Sequence, residues 1–143
     1  MDIRKIDENI SVTPQISVAD VAEAARLGFK TLIANRPDGE ESGQPAMADI
    51  EAAAHANKLA WVYLPVESGH ITDQNVDSFA SIIHQAEKPI LAFCRSGTRC
   101  VVMWALNSAR TEPAEEITAK ARRAGYDVTG LAPRMAQQAN HKH

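Results

Sequence analysis

Cysteine is nearly absent from this sequence: only two occur in 143 residues, Cys94 and Cys100, and both fall in one short stretch. Two thiols so close along the chain cannot staple a fold together, so a disulfide framework is excluded and any use of the pair is chemical. Charge of one sign is missing too. The 15 Lys and Arg residues are dispersed among 18 Asp and Glu, for a formal net charge of -3, which gives no electrostatic reason to expect nucleic acid as a partner. No apolar run approaches the length of a membrane span, and the charged start Met1-Asp2-Ile3-Arg4-Lys5-Ile6-Asp7-Glu8 holds no apolar core of signal-peptide length. A cytoplasmic location with no membrane partner is expected. The histidines are scattered: His55 and His84 fall on predicted helices, and His70 has no second ligand at metal spacing, so neither a metal site nor a cofactor is expected.

What is present suits one domain over residues 1–143, with 45% apolar and 23% charged residues and enough length for a single core. Ile10 to Thr13 reads as a short strand. Ser17 opens a helix as its cap, with Asp20 three residues on and Val18, Val21, Ala22 and Ala25 as its buried stripe. Gly28 stops it, and the strand Thr31 to Ala34 gives way to a loop from Asn35 to Gly43. Pro45 suits the start of an alanine-rich helix with Met47, Ile50 and Ala54 on one face, before the apolar run Trp61 to Leu64. Thr72 can cap a helix carrying Val76, Phe79, Ala80 and Ile83. Ile90 to Phe93 is the next strand, and Val101 to Leu106 is apolar all round, which marks a buried central helix. Two more helices are expected, from Pro113 to Ala124 with Gly125 as stop, and from Leu131 to Ala139; the tail from about Asn140 should fray.

This alternation predicts an α/β fold, a mainly parallel central sheet of about four to five strands with helices on both faces. In open sheets of this kind the ligand crevice lies beyond the carboxyl ends of the strands. Three loops should therefore meet, carrying Arg36 and Asp38, then Glu67, Ser68 and His70, then Cys94 to Arg99.

The third loop, Phe93-Cys94-Arg95-Ser96-Gly97-Thr98-Arg99-Cys100, runs from a buried strand through a glycine-bearing turn into a helix. Backbone N–H groups of such a turn and of a helix start surround an anion. The same positive end, with an arginine beside it, favours the thiolate of Cys94. Arg95, Ser96, Gly97, Thr98 and Arg99 form the candidate anion site, and Arg99 offers it a planar fork of donors. Arg36 either leans toward the same anion or pairs with Asp38 or Glu40. Cys100 either packs in the core or forms a reversible disulfide with Cys94 that protects an oxidised nucleophile.

Strand-Cys-x-x-Gly-x-x-Arg-Ser/Thr-helix marks the cysteine-dependent tyrosine and dual-specificity phosphatases, and the chain resembles the small dual-specificity type over roughly residues 10 to 130. Gly28-Phe29-Lys30-Thr31-Leu32-Ile33-Ala34-Asn35-Arg36-Pro37-Asp38 looks like a strand and loop of that fold. More narrowly, the chain resembles the bacterial beta-lactamase hydrolase-like family, whose phosphatase-like domain occurs alone or fused to a metal-dependent hydrolase. The resemblance implies Cys94 as nucleophile, Gly97 as loop glycine and Arg99 as anion-binding arginine. Three positions depart from the phosphatase pattern. Arg99 comes one residue early, Cys100 stands where a serine or threonine is usual, and Phe93 replaces a histidine.

Cys-x-x-Gly-x-Arg is the spacing of single-domain rhodanese sulfurtransferases, and a shorter loop makes a smaller cradle, which suits a terminal sulfur. The phosphatase reading also needs an acid for the leaving oxygen. Glu67 is the first candidate, His70 the next and Asp38 a third. Two reactions thus remain open: phosphoester hydrolysis through a phosphocysteine, or transfer of sulfane sulfur through a Cys94 persulfide. The partners would be a small anionic or phosphorylated substrate, or a sulfane-sulfur donor and a thiol acceptor. A non-catalytic anion-binding module is the third reading. With so few aromatics, nothing points to a deep phosphotyrosine slot.

Overall fold

The computed structural model describes residues 1–140; the predicted fraying of His141, Lys142 and His143 lies outside them. Its elements follow in the order β1 (Arg4–Lys5), β2 (Ile10–Thr13), α1 (Val18–Arg26), β3 (Thr31–Ala34), α2 (Met47–Ala56), β4 (Ala60–Tyr63), α3 (Asp73–Gln85), β5 (Ile90–Phe93), α4 (Thr98–Ser108), α5 (Ala114–Arg123) and α6 (Ala132–Ala139). A 3-10 turn, Thr129–Leu131, leads into α6.

The five strands lie in the order β1-β2-β5-β3-β4. Only the β1–β2 pair is antiparallel; β2, β5, β3 and β4 run parallel. Consecutive side chains of a strand point to opposite faces, and β5, buried along its length, feeds two cores. Ile90 and Ala92 join one with Ile33, Phe79, Val101 and Leu106, on the side covered by α3 to α6. Leu91 and Phe93 join the other with Leu32, Val21, Met47 and Ile50, under α1 and α2. Trp61 and Phe93 tilt against each other with ring centroids 6.5 Å apart.

Local chemistry sets the helix starts. Ser17 accepts from the Asp20 N–H while the Asp20 carboxylate accepts from Ser17, and Thr72 with Asn75 repeats this box on α3. The face of α1 differs from expectation: Val18 is 44% exposed, and Ala24 is fully buried in its place. Val18 occupies the first helical position, where the helix has not yet turned its stripe onto the sheet. The strand β1, two residues of arginine and lysine, was invisible to apolar patterning. The central helix α4 is buried as expected, including Cys100, Met103, Trp104 and Leu106, with Val102 partly open.

Register positions the site. Thr13 pairs with Phe93, Phe93 with Ala34, and Ala34 with Tyr63, so four parallel strands end level. Their following loops therefore leave from one edge.

Candidate functional site

Cys94 is the first residue beyond β5 and is fully buried, as is Cys100 two residues inside α4. Both thiols are free. The loop between them closes on Gly97, the N-cap of α4, with φ of 89°. Glycine is required there twice over. An L side chain rarely takes that conformation, and a Cβ would collide with the Tyr126 hydroxyl. That hydroxyl donates to the Ser96 carbonyl at 2.9 Å, while the Gln15 N–H donates to the Arg95 carbonyl at 3.2 Å. The turn is thus tied from both sides.

Its amides then point inward. The Gly97 N–H donates to Cys94 Sγ at 3.1 Å. A hydrogen bond from the Cys100 side chain does most to lower the pKa of Cys94, to about 6, helped by the N–H groups of Cys100, Arg99 and Gly97 and opposed by burial. Cys100 moves the other way. Its complete burial, then the neighbouring Cys94 sulfur, raise its pKa well above the ordinary thiol value. One thiol donor and one thiolate acceptor are the result at neutral pH.

Arg99 is buried, and three of its five N–H donors are engaged. Nη1 donates to Glu40 Oε2 at 2.7 Å and to the Val66 carbonyl at 2.9 Å, and Nη2 donates to Glu40 Oε1 at 2.9 Å. Among the described residues, the edge formed by Nε and the second Nη2 hydrogen takes no protein acceptor. Glu40 also accepts from Arg36 Nε at 2.8 Å. Its pKa falls to about 2, chiefly through the hydrogen bond from Arg99, with Arg36 adding to it and desolvation opposing.

Of the two readings for Arg36, the geometry displays the pairing with Glu40. Its Nη1 donates to Gln15 Oε1 at 3.2 Å, and its Nη2 lies 3.3 Å from Glu41 Oε1 as an ion pair without hydrogen-bond alignment. Asp38 caps α2 from a distance, its Oδ1 accepting the Met47 N–H at 3.3 Å. Arg95, Ser96 and Thr98 are exposed on the loop; Arg95 Nε pairs with Glu41 at 2.9 Å, and the Ser96 hydroxyl donates to Thr98 Oγ1 at 3.0 Å. Glu67 is exposed, and its carbonyl accepts the His70 N–H at 3.1 Å. The three strand-end loops do meet, at Glu40, Val66 and Arg99.

A cleft of about 630 Å³ opens beside the loop, walled by Ser68, Ile71, Thr98, Arg99, Val102 and Leu131 among others. A larger hollow, about 770 Å³ between α3 and the end of α4, lies away from both thiols. Among the described residues no group of three or more His, Cys, Asp or Glu could hold a metal ion, and no helix is long and apolar enough to cross a membrane. Sequence reasoning missed two participants, Glu40 as the partner of Arg99 and Tyr126 as the brace of the loop. Only the i,i+4 spacing of Arg36 and Glu40 gave a signal.

Sheet order, helix layers and a cysteine loop at the end of the central strand define a phosphatase-like α/β domain of the dual-specificity type. The chain belongs to the family of the beta-lactamase hydrolase-like protein, phosphatase-like domain, whose model matches residues 2–111. It is 34% identical over 105 residues to the beta-lactamase hydrolase-like protein of Agrobacterium fabrum, covering 73% of this chain but 24% of that relative. The chain thus spans about a quarter of that protein's length. It also resembles a Neisseria meningitidis crystal structure provisionally named a phosphatase, with 37% identity, a TM-score of 0.85, and 96% and 99% of the two chains covered. At 12% identity the core catalytic domain of the PP-IP phosphatase SIW14 of S. cerevisiae shares the fold, with a TM-score of 0.68 and coverage of 99% and 86%.

Proposed function

We propose that the protein hydrolyses phosphoesters with Cys94 as nucleophile. The observation that carries this reading is the Cys94 sulfur itself, accepting the Gly97 N–H and a hydrogen bond from Cys100, with a pKa of about 6, in a family of phosphatase-like domains. At neutral pH it is largely thiolate. The sulfur attacks phosphorus; the S–P bond forms as the ester P–O bond breaks, and the departing oxygen carries off the electron pair and takes a proton. Water then attacks the phosphocysteine, the S–P bond breaks, and phosphate leaves with the thiolate restored.

Arg99 and the amides from Arg95 to Arg99 hold the phosphoryl oxygens. Because Glu40 occupies the Nη1–Nη2 end of the guanidinium, the Nε–Nη2 edge is left for the substrate, and charge developing in the transition state meets donors already in place. No carboxylate lines the cleft, so Glu67, next to cleft-lining Ser68, is the acid we retain. Its exposure favours aryl phosphates, whose leaving groups need little help. Arg36 acts by holding Glu40.

One observation favours a second reading. The four residues between Cys94 and Arg99 match the shorter rhodanese loop, and the same thiolate can attack the sulfane sulfur of thiosulfate, releasing sulfite and leaving a persulfide for a thiol acceptor. Aryl phosphate hydrolysis and thiosulfate-dependent sulfur transfer, each with Cys94→Ser as control, separate the two. Phosphate release lost in Cys94→Ser is the expected result. A reductant-removable gain of one sulfur in intact mass after thiosulfate would replace hydrolysis by sulfur transfer, and silence in both assays would leave an anion-binding module.

A further inference from the structure

We infer that the cleft beside the cysteine loop selects substrates carrying a second anionic group, which Arg134 receives across an apolar wall from Arg99. The inference deepens the phosphatase reading and rests on it for the first anion. Three arginines line the cleft, Arg95, Arg99 and Arg134, and no acidic residue does. They differ in how fully their charge is answered. Glu40 takes Arg99 at two points, whereas Arg95, which shares the cysteine loop with Arg99, has one ion-pair contact, Glu41 Oε1 at 2.9 Å. Arg134, in α6, has among the described residues a single partner, Asp73 Oδ1 at 3.2 Å from Nη2. That oxygen is shared with Gln138 Nε2 at 3.1 Å, so Arg134 keeps most of its donors for a ligand.

Ile71, Val102 and Leu131, all partly buried against the core, line the same cleft. Inorganic phosphate has no apolar surface to set against them. A ring or short carbon chain with an anion at each end would cover the wall and satisfy both arginines, whereas a ligand with one anion would leave Arg134 to Asp73 and solvent.

The test compares binding of benzylphosphonate with that of its 3- and 4-carboxy derivatives, by calorimetry on the full chain, in the wild type and in three variants. We expect the better carboxy derivative to bind the wild type about tenfold more tightly, as an added charge-assisted hydrogen bond allows. Arg134→Gln should erase that preference while binding benzylphosphonate as before, and Arg134→Lys should keep part of it. Asp73→Asn should also keep it, because Asp73 holds the arginine without meeting the ligand. Equal binding of all three ligands by the wild type would overturn the inference, as would loss of benzylphosphonate binding in Arg134→Gln. So would a loss in Asp73→Asn as complete as in Arg134→Gln. A preserved preference in a protein that fails to hydrolyse phenyl phosphate would remove the phosphatase reading alone; failure to bind any phosphonate would remove both.

Discussion

Glu40 and Arg99 meet through two parallel hydrogen bonds, 2.7 Å from Nη1 to Oε2 and 2.9 Å from Nη2 to Oε1, although 59 positions separate them. The guanidinium that would bind substrate is therefore fixed by a carboxylate from a different strand end, and the same carboxylate holds Arg36. Its geometry is set before any ligand arrives.

Glu40→Gln keeps the shape and removes the charge. We expect it to lower kcat/KM for aryl phosphates at least tenfold through a loosened Arg99, and to cost about 1.5–3 kcal/mol of stability, the range for a hydrogen bond to a charged group. Steady-state kinetics and urea unfolding check the two effects. Glu40 has a folded-state pKa of about 2, below the ordinary value of 4.5, so its contribution is fully present above the unfolded pKa and is lost as pH falls toward 2. Unfolding free energy of Glu40→Gln should consequently fall less than that of the wild type between pH 5 and pH 2; parallel curves would contradict the ion pair.

The cysteine pair makes a prediction about pH. The rate of Cys94 alkylation by iodoacetamide, and kcat/KM for an aryl phosphate, should both rise through a pKa of about 6. Cys100→Ala removes the largest cause of that depression and should move both limbs upward, whereas Cys100→Ser restores a donor and should move them less. Profiles unchanged in Cys100→Ala would mean that the amides alone hold the thiolate.

Gly97 and Tyr126 test the loop. Gly97→Ala meets a φ of 89° and the Tyr126 ring together, and we expect loss of more than nine-tenths of the activity with a lower melting temperature. Tyr126→Phe deletes only the bond to the Ser96 carbonyl, for which about 0.5–1.5 kcal/mol is the usual net worth. The double variant should recover little, because relieving the collision leaves the positive φ. Full recovery, read from phosphatase activity and thermal melts, would mean that the hydroxyl alone demanded glycine.

Glu67→Gln distinguishes an acid from a bystander. If Glu67 protonates the leaving oxygen, the variant should lose far more activity on alkyl than on nitrophenyl phosphates, steepening the dependence on leaving-group pKa. An equal, small loss on both would pass the role to water or to His70.

Much of this could be read from residue order. Ser17 with Asp20, Thr72, Gly28 and the apolar run Ile90 to Phe93 act within a few positions of themselves, so the elements they start, stop or form were legible. The placement of Cys94 just beyond a strand and of Gly97 and Arg99 at a helix start was legible for the same reason. Glu40 was not singled out as the Arg99 partner because it lies in a loop whose composition says only that the chain turns. Its role exists only once β3 and β5 lie side by side. Tyr126 reaches Ser96 from beyond α5, and Arg134 faces the cleft from α6; no local pattern encodes either relationship. Val18 erred for a simpler reason, since helical periodicity fixes a face but not where along the helix that face first meets the sheet.

The level ending of β2, β5, β3 and β4 ties the setting of Arg99 to the sheet as a whole. A one-residue slip of β3 against β5 would turn every side chain of β3 to the opposite face and carry Arg36 and Glu40 about 3.3 Å along the strand axis away from Arg99. That displacement exceeds the length of the hydrogen bonds it would break, so a misregistered sheet could keep its helices and still lose its chemistry. The Glu40–Arg99 hydrogen bonds are therefore a finer gauge of correct strand pairing than secondary-structure content.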